Sequence, residues 1–263
     1  MVFRAGKKEI IKQYNEKGVV LVWNAAFWGA VSGSAVLLGA LAAMFLPIRK
    51  KLIGYIMAFG TGVLIGAASF ELLGESVHNG GLLPTGIGFM AGAVTFTLFD
   101  IMISKKGAQH RKRSGHKAAA SSGIVLFAGT IMDAIPESIM IGTSLLEADS
   151  VSFLLVTAIF ISNFPEGLSS TSGMKKSGYS KKKIILLWSS VFVISGMASM
   201  AGYIFLDGAS EEVLSGIAGF AGGAIIAMVA STMMPEAFED SGPVTGFIAA
   251  IGLLASLVLD YFS

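Results

Sequence analysis

The sequence predicts an all-α protein, a polytopic bundle of about eight membrane-spanning helices. Three observations predict it. Of the 263 residues, 54% are hydrophobic and only 14% are charged, whereas a soluble domain carries about a quarter charged residues. The apolar residues come in runs of the roughly 20 that a helix needs to cross hydrocarbon. The basic residues gather in alternate connections between those runs. A soluble fold has too little interior to hide so much apolar surface, and the mean hydropathy of +0.74 says the same.

The elements follow in order. Residues 1–18 are a basic N-terminal tail with Arg4, Lys7, Lys8, Lys12 and Lys17, and no apolar run ahead of a small-residue cleavage site. It reads as a surface helix or a frayed end. Residues 19–263 then form a single transmembrane domain. The expected spans are Val19–Leu46, Leu52–Leu73, Leu82–Ile103, Ile124–Leu146, Val151–Gly173, Ile184–Leu206, Val213–Phe238 and Val244–Phe262. Connections are short except for 104–122.

Charge fixes the orientation. Arg49, Lys50 and Lys51 follow the first span, Lys105 to Lys117 the third, and Lys175 to Lys183 the fifth. The connections after the second, fourth and sixth spans contain no Lys or Arg, and carry His78, Glu147, Asp149, Asp207, Glu211 and Glu212. The positive-inside rule makes the basic loops cytoplasmic, 104–122 included. An even number of spans then puts both termini outside. The basic tail runs against that placement; an amphipathic segment lying on anionic headgroups would reconcile the two.

Cysteine is absent, which excludes disulfides and thiolate metal sites. Glycine is abundant, and Gly62 with Gly66, Gly88 with Gly92, and Gly219 with Gly223 repeat the small-xxx-small spacing that lets membrane helices approach closely. A weak internal repeat is also visible. Ala58 to Glu75 aligns with Gly219 to Glu236, setting Phe59 on Phe220, Gly62 on Gly223 and Glu75 on Glu236. Inverted repeats of secondary transporters give such pairs; chance likeness between two Gly/Ala-rich helices is the competing account.

Chemistry concentrates in two spans. The fourth reads Asp133-Ala134-Ile135-Pro136-Glu137-Ser138 and the fifth Ser162-Asn163-Phe164-Pro165-Glu166-Gly167. A carboxylate at mid-membrane costs roughly 2.5–3.5 kcal/mol on insertion scales, so such acids face the bundle interior and hold a proton or a cation. Asp133 and Glu137 stack on one helix face, as do Ser162 and Glu166, with Asn163 adjoining. Each proline also frees a carbonyl one turn back, Met132 and Ile161. Two such helices can surround one point with oxygen ligands, a cation site. The alternative is a proline kink with a protonated acid bonded to a neighbour. Two matched copies in adjacent spans favour the cation.

These residues resemble the motif pair of the ZIP family of zinc and iron transporters. The long basic loop with His110 and His116, and Met234-Pro235-Glu236 ending the seventh span, look like the same family. The resemblance covers the chain from the first span onward. It implies a 3+2+3 bundle with an inverted repeat and a mid-membrane site. It also implies a homodimer and metal uptake to the cytoplasm from a cell (plasma) membrane. By that likeness the expected metal ligands are Asp133, Glu137, Ser162, Asn163 and Glu166. The family's motif histidines are missing, Ser199 stands where many members have a bridging glutamate, and Ser231 and Thr232 stand where acids are frequent. A second, adjoining metal position is therefore weakened. The remaining set is all oxygen, which suits Mn²⁺, Mg²⁺ or Fe²⁺ as well as Zn²⁺; the resemblance makes zinc the leading guess.

The expected partners are the transported divalent ion and the lipid bilayer, with no resident cofactor and no nucleic acid. The same carboxylates would also serve a proton or other cation carrier. An intramembrane aspartyl protease would need Asp100 and Asp133 as a dyad, and no flanking motif, phosphate loop or cofactor fingerprint accompanies them. Asp100, Glu71, Glu75, Glu236, Glu239 and Asp240 sit at span ends, where solvation explains them about as well as a role in an ion path. His78 reads as an ordinary loop residue, with metal capture near Glu75 as the alternative.

Overall fold

The structure is a computed structural model that describes residues 2–105, 123–148 and 150–262. Every regular element among them is helical. Helix α1, Val2–Phe45, runs unbroken from the basic tail through the first apolar stretch. Helix α2, Lys50–Asn79, contains a π-helical segment, Ala68–Gly74. Then come α3 (Leu82–Lys105), α4 (Gly123–Ala148), α5 (Phe153–Lys176) and α6 (Lys181–Leu206). Helix α7 is built of Glu211–Met228, a π segment Val229–Met233, and Met234–Ser241. A 3₁₀ turn, Gly242–Val244, leads into α8, Thr245–Phe262.

Among the described residues six stretches are long and apolar enough to cross a membrane, against the roughly eight spans expected. One of the six, Glu211–Phe262, holds both α7 and α8. Helix α4 is not among these six. Most of the expected loop, 106–122, lies outside the described residues.

Side-chain chemistry sets the helix ends. The Ser152 hydroxyl accepts from the Leu155 amide at 3.0 Å and starts α5, as a Ser at this position commonly does. At the other end of α5, Gly178 adopts φ +81°, which allows the Ser177 and Tyr179 amides to close on the Gly173 and Met174 carbonyls.

Packing has an internal symmetry. Helix α1 packs on α5 and α6, α2 on α5, α7 and α8, α3 on α7, and α4 on α6. Exchanging α1 with α6, α2 with α7, α3 with α8 and α4 with α5 turns the α3·α7 pair into α8·α2, and α1·α5 into α6·α4. Both images are present. The glycine contacts repeat in the same way. Gly223 of α7 lies against the Phe89 carbonyl of α3, and Gly62 of α2 against the Ala249 carbonyl of α8. Gly92 sits on the Phe220 carbonyl, and Gly252 on the Phe59 carbonyl. A methyl group at any of the four would collide with a backbone oxygen. The two π segments start at Ala68 and Val229, the positions that the sequence register lays on each other.

The ends of the helices sort into two sides. Lys175 at the end of α5 reaches the Ala43 carbonyl at the end of α1, and Asp240 near the end of α7 touches Gly54 at the start of α2. Arg49–Lys51 and Lys175–Lys183 therefore share one side. On the other side the end of α2, the start of α5 and the end of α8 line one recess. Helix α5 is the most enclosed span and α3 the least, with Leu83, Ile87, Met90, Val94 and Leu98 of α3 pointing outward as lipid-facing residues would.

Candidate metal-ion site

The five expected ligands all fall in the interior of the bundle. Asp133 is 6% exposed, Glu137 1%, Ser162 1%, Asn163 4% and Glu166 2%. Their helices run on through Pro136 and Pro165 without a break. The Ile161 carbonyl, freed by Pro165, lies against Gly60 of α2, so this oxygen helps pack α5 on α2.

The structure does not gather these ligands at one point. Among the described residues, no group of three or more His, Asp and Glu side chains is close enough to hold an ion. Asp133 and Glu137 line a cavity of about 230 Å³ between α4, α3 and α7, whose other walls include Phe96, Phe220, Ala224 and Met228. Ser162, Asn163 and Glu166 do not line it. The Ser162 hydroxyl donates to the Ile159 carbonyl of its own helix at 3.0 Å. Glu166 instead turns to α4, where the Thr130 hydroxyl donates to its Oε1 at 2.6 Å.

That bond marks the register of two antiparallel helices. With Thr130 level with Glu166, Asp133 stands level with Asn163 and Glu137 with Ile159. At about 1.5 Å of rise per residue, the two glutamates are offset by about 10 Å along the helix axis. Helical side chains tilt toward the N-terminus of their own helix. Glu137 therefore tilts toward the lysine side and Glu166 toward the opposite side, so both tilt toward the Asp133–Asn163 level between them.

Two polar features were not legible in the sequence. Thr130 carries no motif, and the i, i−4 carbonyl is the ordinary partner of a helical threonine. Glu236 reads equally well as a solvated span end. The structure corrects that reading, since Glu236 is 3% exposed and accepts from the Ser169 hydroxyl of α5. Ser169 lies one turn beyond Glu166 on the way to Lys175. Ser199 is fully buried against Gly29 of α1, and Ser231 faces outward and donates to the Ala227 carbonyl. On the side away from the lysines, a recess of about 930 Å³ is lined by Glu71, Glu75, His78, Ser144 and Asp260 among others. His78 thus shares a surface with three acids. His110 and His116 lie outside the described residues.

The fold defines a polytopic integral membrane protein with carboxylates in its interior. No family model matches the chain. It is 26% identical over 242 residues to an Arabidopsis thaliana protein named "putative zinc transporter". That alignment takes in 90% of this chain and 38% of the relative, so the chain spans well under half of the relative's length.

Proposed function

We propose that the chain is a divalent-metal transporter, with Zn²⁺ the leading cargo, and that ions cross by way of Asp133, Glu137, Asn163 and Glu166, with Ser162 adjoining. The observation that carries the proposal is the pair of Pro-Glu motifs on neighbouring helices, with Glu137 and Glu166 buried to within 2% of complete enclosure. No Lys or Arg lies in α4 or α5 ahead of Lys175 to balance them. Ionised carboxylates in such surroundings need a cation or a proton. The similarity to the Arabidopsis protein supports a metal over an organic cation.

The Asp133–Asn163 level is where the ion rests in this reading. Rotation about the Glu137 side chain, along the direction in which it already tilts, brings its oxygens to it, and the second carboxylate oxygen of Glu166 turns to it while Oε1 stays on Thr130. Divalent ions accept such all-oxygen sets, and each carboxylate that binds must first lose its proton. The symmetric helix pairing and the matched π segments support a 3+2+3 arrangement of eight helices with the α4–α5 pair at its centre. The lysine-rich side is cytoplasmic by the positive-inside rule, and uptake runs toward it.

The test is Zn²⁺ flux into proteoliposomes containing the purified chain, read with an internal fluorescent chelator. Flux above empty vesicles, with wild type active and Glu166→Gln inactive, is expected. Equal flux in wild type and Glu166→Gln would remove the proposed path.

A further inference from the structure

Several buried hydroxyls in these helices bond to their own backbone one turn back. Thr61 donates to the Met57 carbonyl at 2.8 Å, Thr143 to Met140 at 3.0 Å, and Ser162 to Ile159 at 3.0 Å. This default satisfies the single hydroxyl proton without any tertiary partner. Thr130 departs from it. Its hydroxyl, in a side chain 1% exposed, crosses to α5 and donates to Glu166 Oε1 at 2.6 Å. That length is at the short end of the range for hydroxyl-to-oxygen hydrogen bonds.

The position of Thr130 makes the contact consequential. On α4, Thr130, Asp133 and Glu137 follow the i, i+3, i+7 spacing of a single helix face. Glu166 is the proposed ligand that belongs to the neighbouring helix. The Thr130 bond ties that ligand to the face that presents the other two carboxylates. A hydroxyl donating to one oxygen of a carboxylate fixes the plane of the group and leaves the second oxygen's direction determined. Outer partners of this kind orient ligand carboxylates and are typically worth 10–100-fold in metal affinity.

We infer that Thr130 is a positioning residue of the ion site, holding Glu166 against the Asp133–Glu137 face. The inference rests on the metal-site reading above and adds to it a residue that binds no ion itself. Valine is the informative replacement, because it keeps the branched shape and removes the hydroxyl. Serine keeps the hydroxyl and removes a methyl group.

The experiment is Zn²⁺ titration of purified protein in detergent by calorimetry, for wild type, Thr130→Val, Thr130→Ser and Thr143→Val. Thr143 is the control, a buried threonine on the same helix that bonds to its own backbone. Thr130→Val should weaken Zn²⁺ binding about 10- to 100-fold. Thr130→Ser should restore it to within about threefold of wild type, and Thr143→Val should leave it within the same margin (about half a log unit, or roughly 0.7 kcal/mol). The ion-free Thr130→Val protein should still melt in a single cooperative transition, as the wild type does. Unchanged or tighter binding by Thr130→Val, or equal losses in Thr130→Val and Thr143→Val, would overturn the inference. Absence of Zn²⁺ binding by the wild type itself would instead overturn the metal-site reading on which it rests.

Discussion

Replacing Glu137 with glutamine changes one oxygen to an amide and removes one charge at nearly constant volume. Glu137 is 1% exposed and lines a cavity whose other walls are largely apolar, so little water screens it. Two unit charges about 4 Å apart interact by about 4 kcal/mol at an effective dielectric constant near 20, and by about twice that when one is divalent. Part of this gain is offset by stripping water from the carboxylate, which costs several kcal/mol. The net loss on removing one partner of a buried charged pair is about 3–5 kcal/mol. At 1.4 kcal/mol per factor of ten, that is a loss of roughly 100- to 3,000-fold in Zn²⁺ affinity. Calorimetric titration of Glu137→Gln against wild type reads it directly, with Glu239→Gln as an exposed carboxylate control. Affinity retained within about threefold in Glu137→Gln would refute the reasoning, because a buried ligand charge cannot be removed at so small a cost.

Three further outcomes follow from the same geometry. Asp133→His should shift preference toward Zn²⁺ over Mn²⁺, because imidazole suits zinc and hard ions prefer oxygen; flux competition in excess Mn²⁺ measures it. Metal affinity should weaken as pH falls from about 8 to about 5, since the ion and protons compete for the same carboxylates, and titrations at several pH values check the sign. On intact cells an impermeant thiol reagent should label Glu212→Cys and leave Lys182→Cys unlabelled, both positions being exposed and on opposite sides of the bundle.

Much of this molecule was legible because its signals are local. Hydropathy and basic loops need only neighbouring residues, and the small-xxx-small pairs announced contacts that the structure places on backbone carbonyls: Gly88 on Gly216, Gly92 on Phe220, Gly219 on Thr85. The weak repeat was readable as a register, and the π segments start at the residues it matches. What was not legible depends on how one helix slides against another. Asp133, Glu137, Ser162 and Glu166 share faces within their helices, yet their relative depths depend on how the two helices pack in the bundle, which the Thr130–Glu166 contact marks. Sequence spacing carries no information about that offset, so it suggested a single point of convergence. Glu236 was ambiguous for the same reason, since only the approach of α5 shows that the end of α7 is covered.

The α4–α5 motifs match each other, but their surroundings do not, and the difference has a direction. From the Asp133–Asn163 level toward the lysine side, polar atoms continue through Thr130 and Glu166 to Ser169 and Glu236, and then to Asp240 beside Gly54. Toward the opposite side the neighbours are Met140, Ile141, Leu154, Leu155, Ala158 and Ile159, all buried in one hydrophobic cluster. Within that layer the buried Thr143 hydroxyl is taken up by the Met140 carbonyl, and oxygen atoms resume at Ser144, which lines the acidic recess with Glu71 and Glu75. Glu137 and Ser144 are seven residues apart on α4, so the apolar layer is about 10 Å thick. A divalent ion cannot cross such a layer without ligands, because stripping its water there costs far more than thermal energy. In the proposed transporter, movement of an ion between the recess and Asp133 therefore requires α4 and α5 to shift relative to the helices around them.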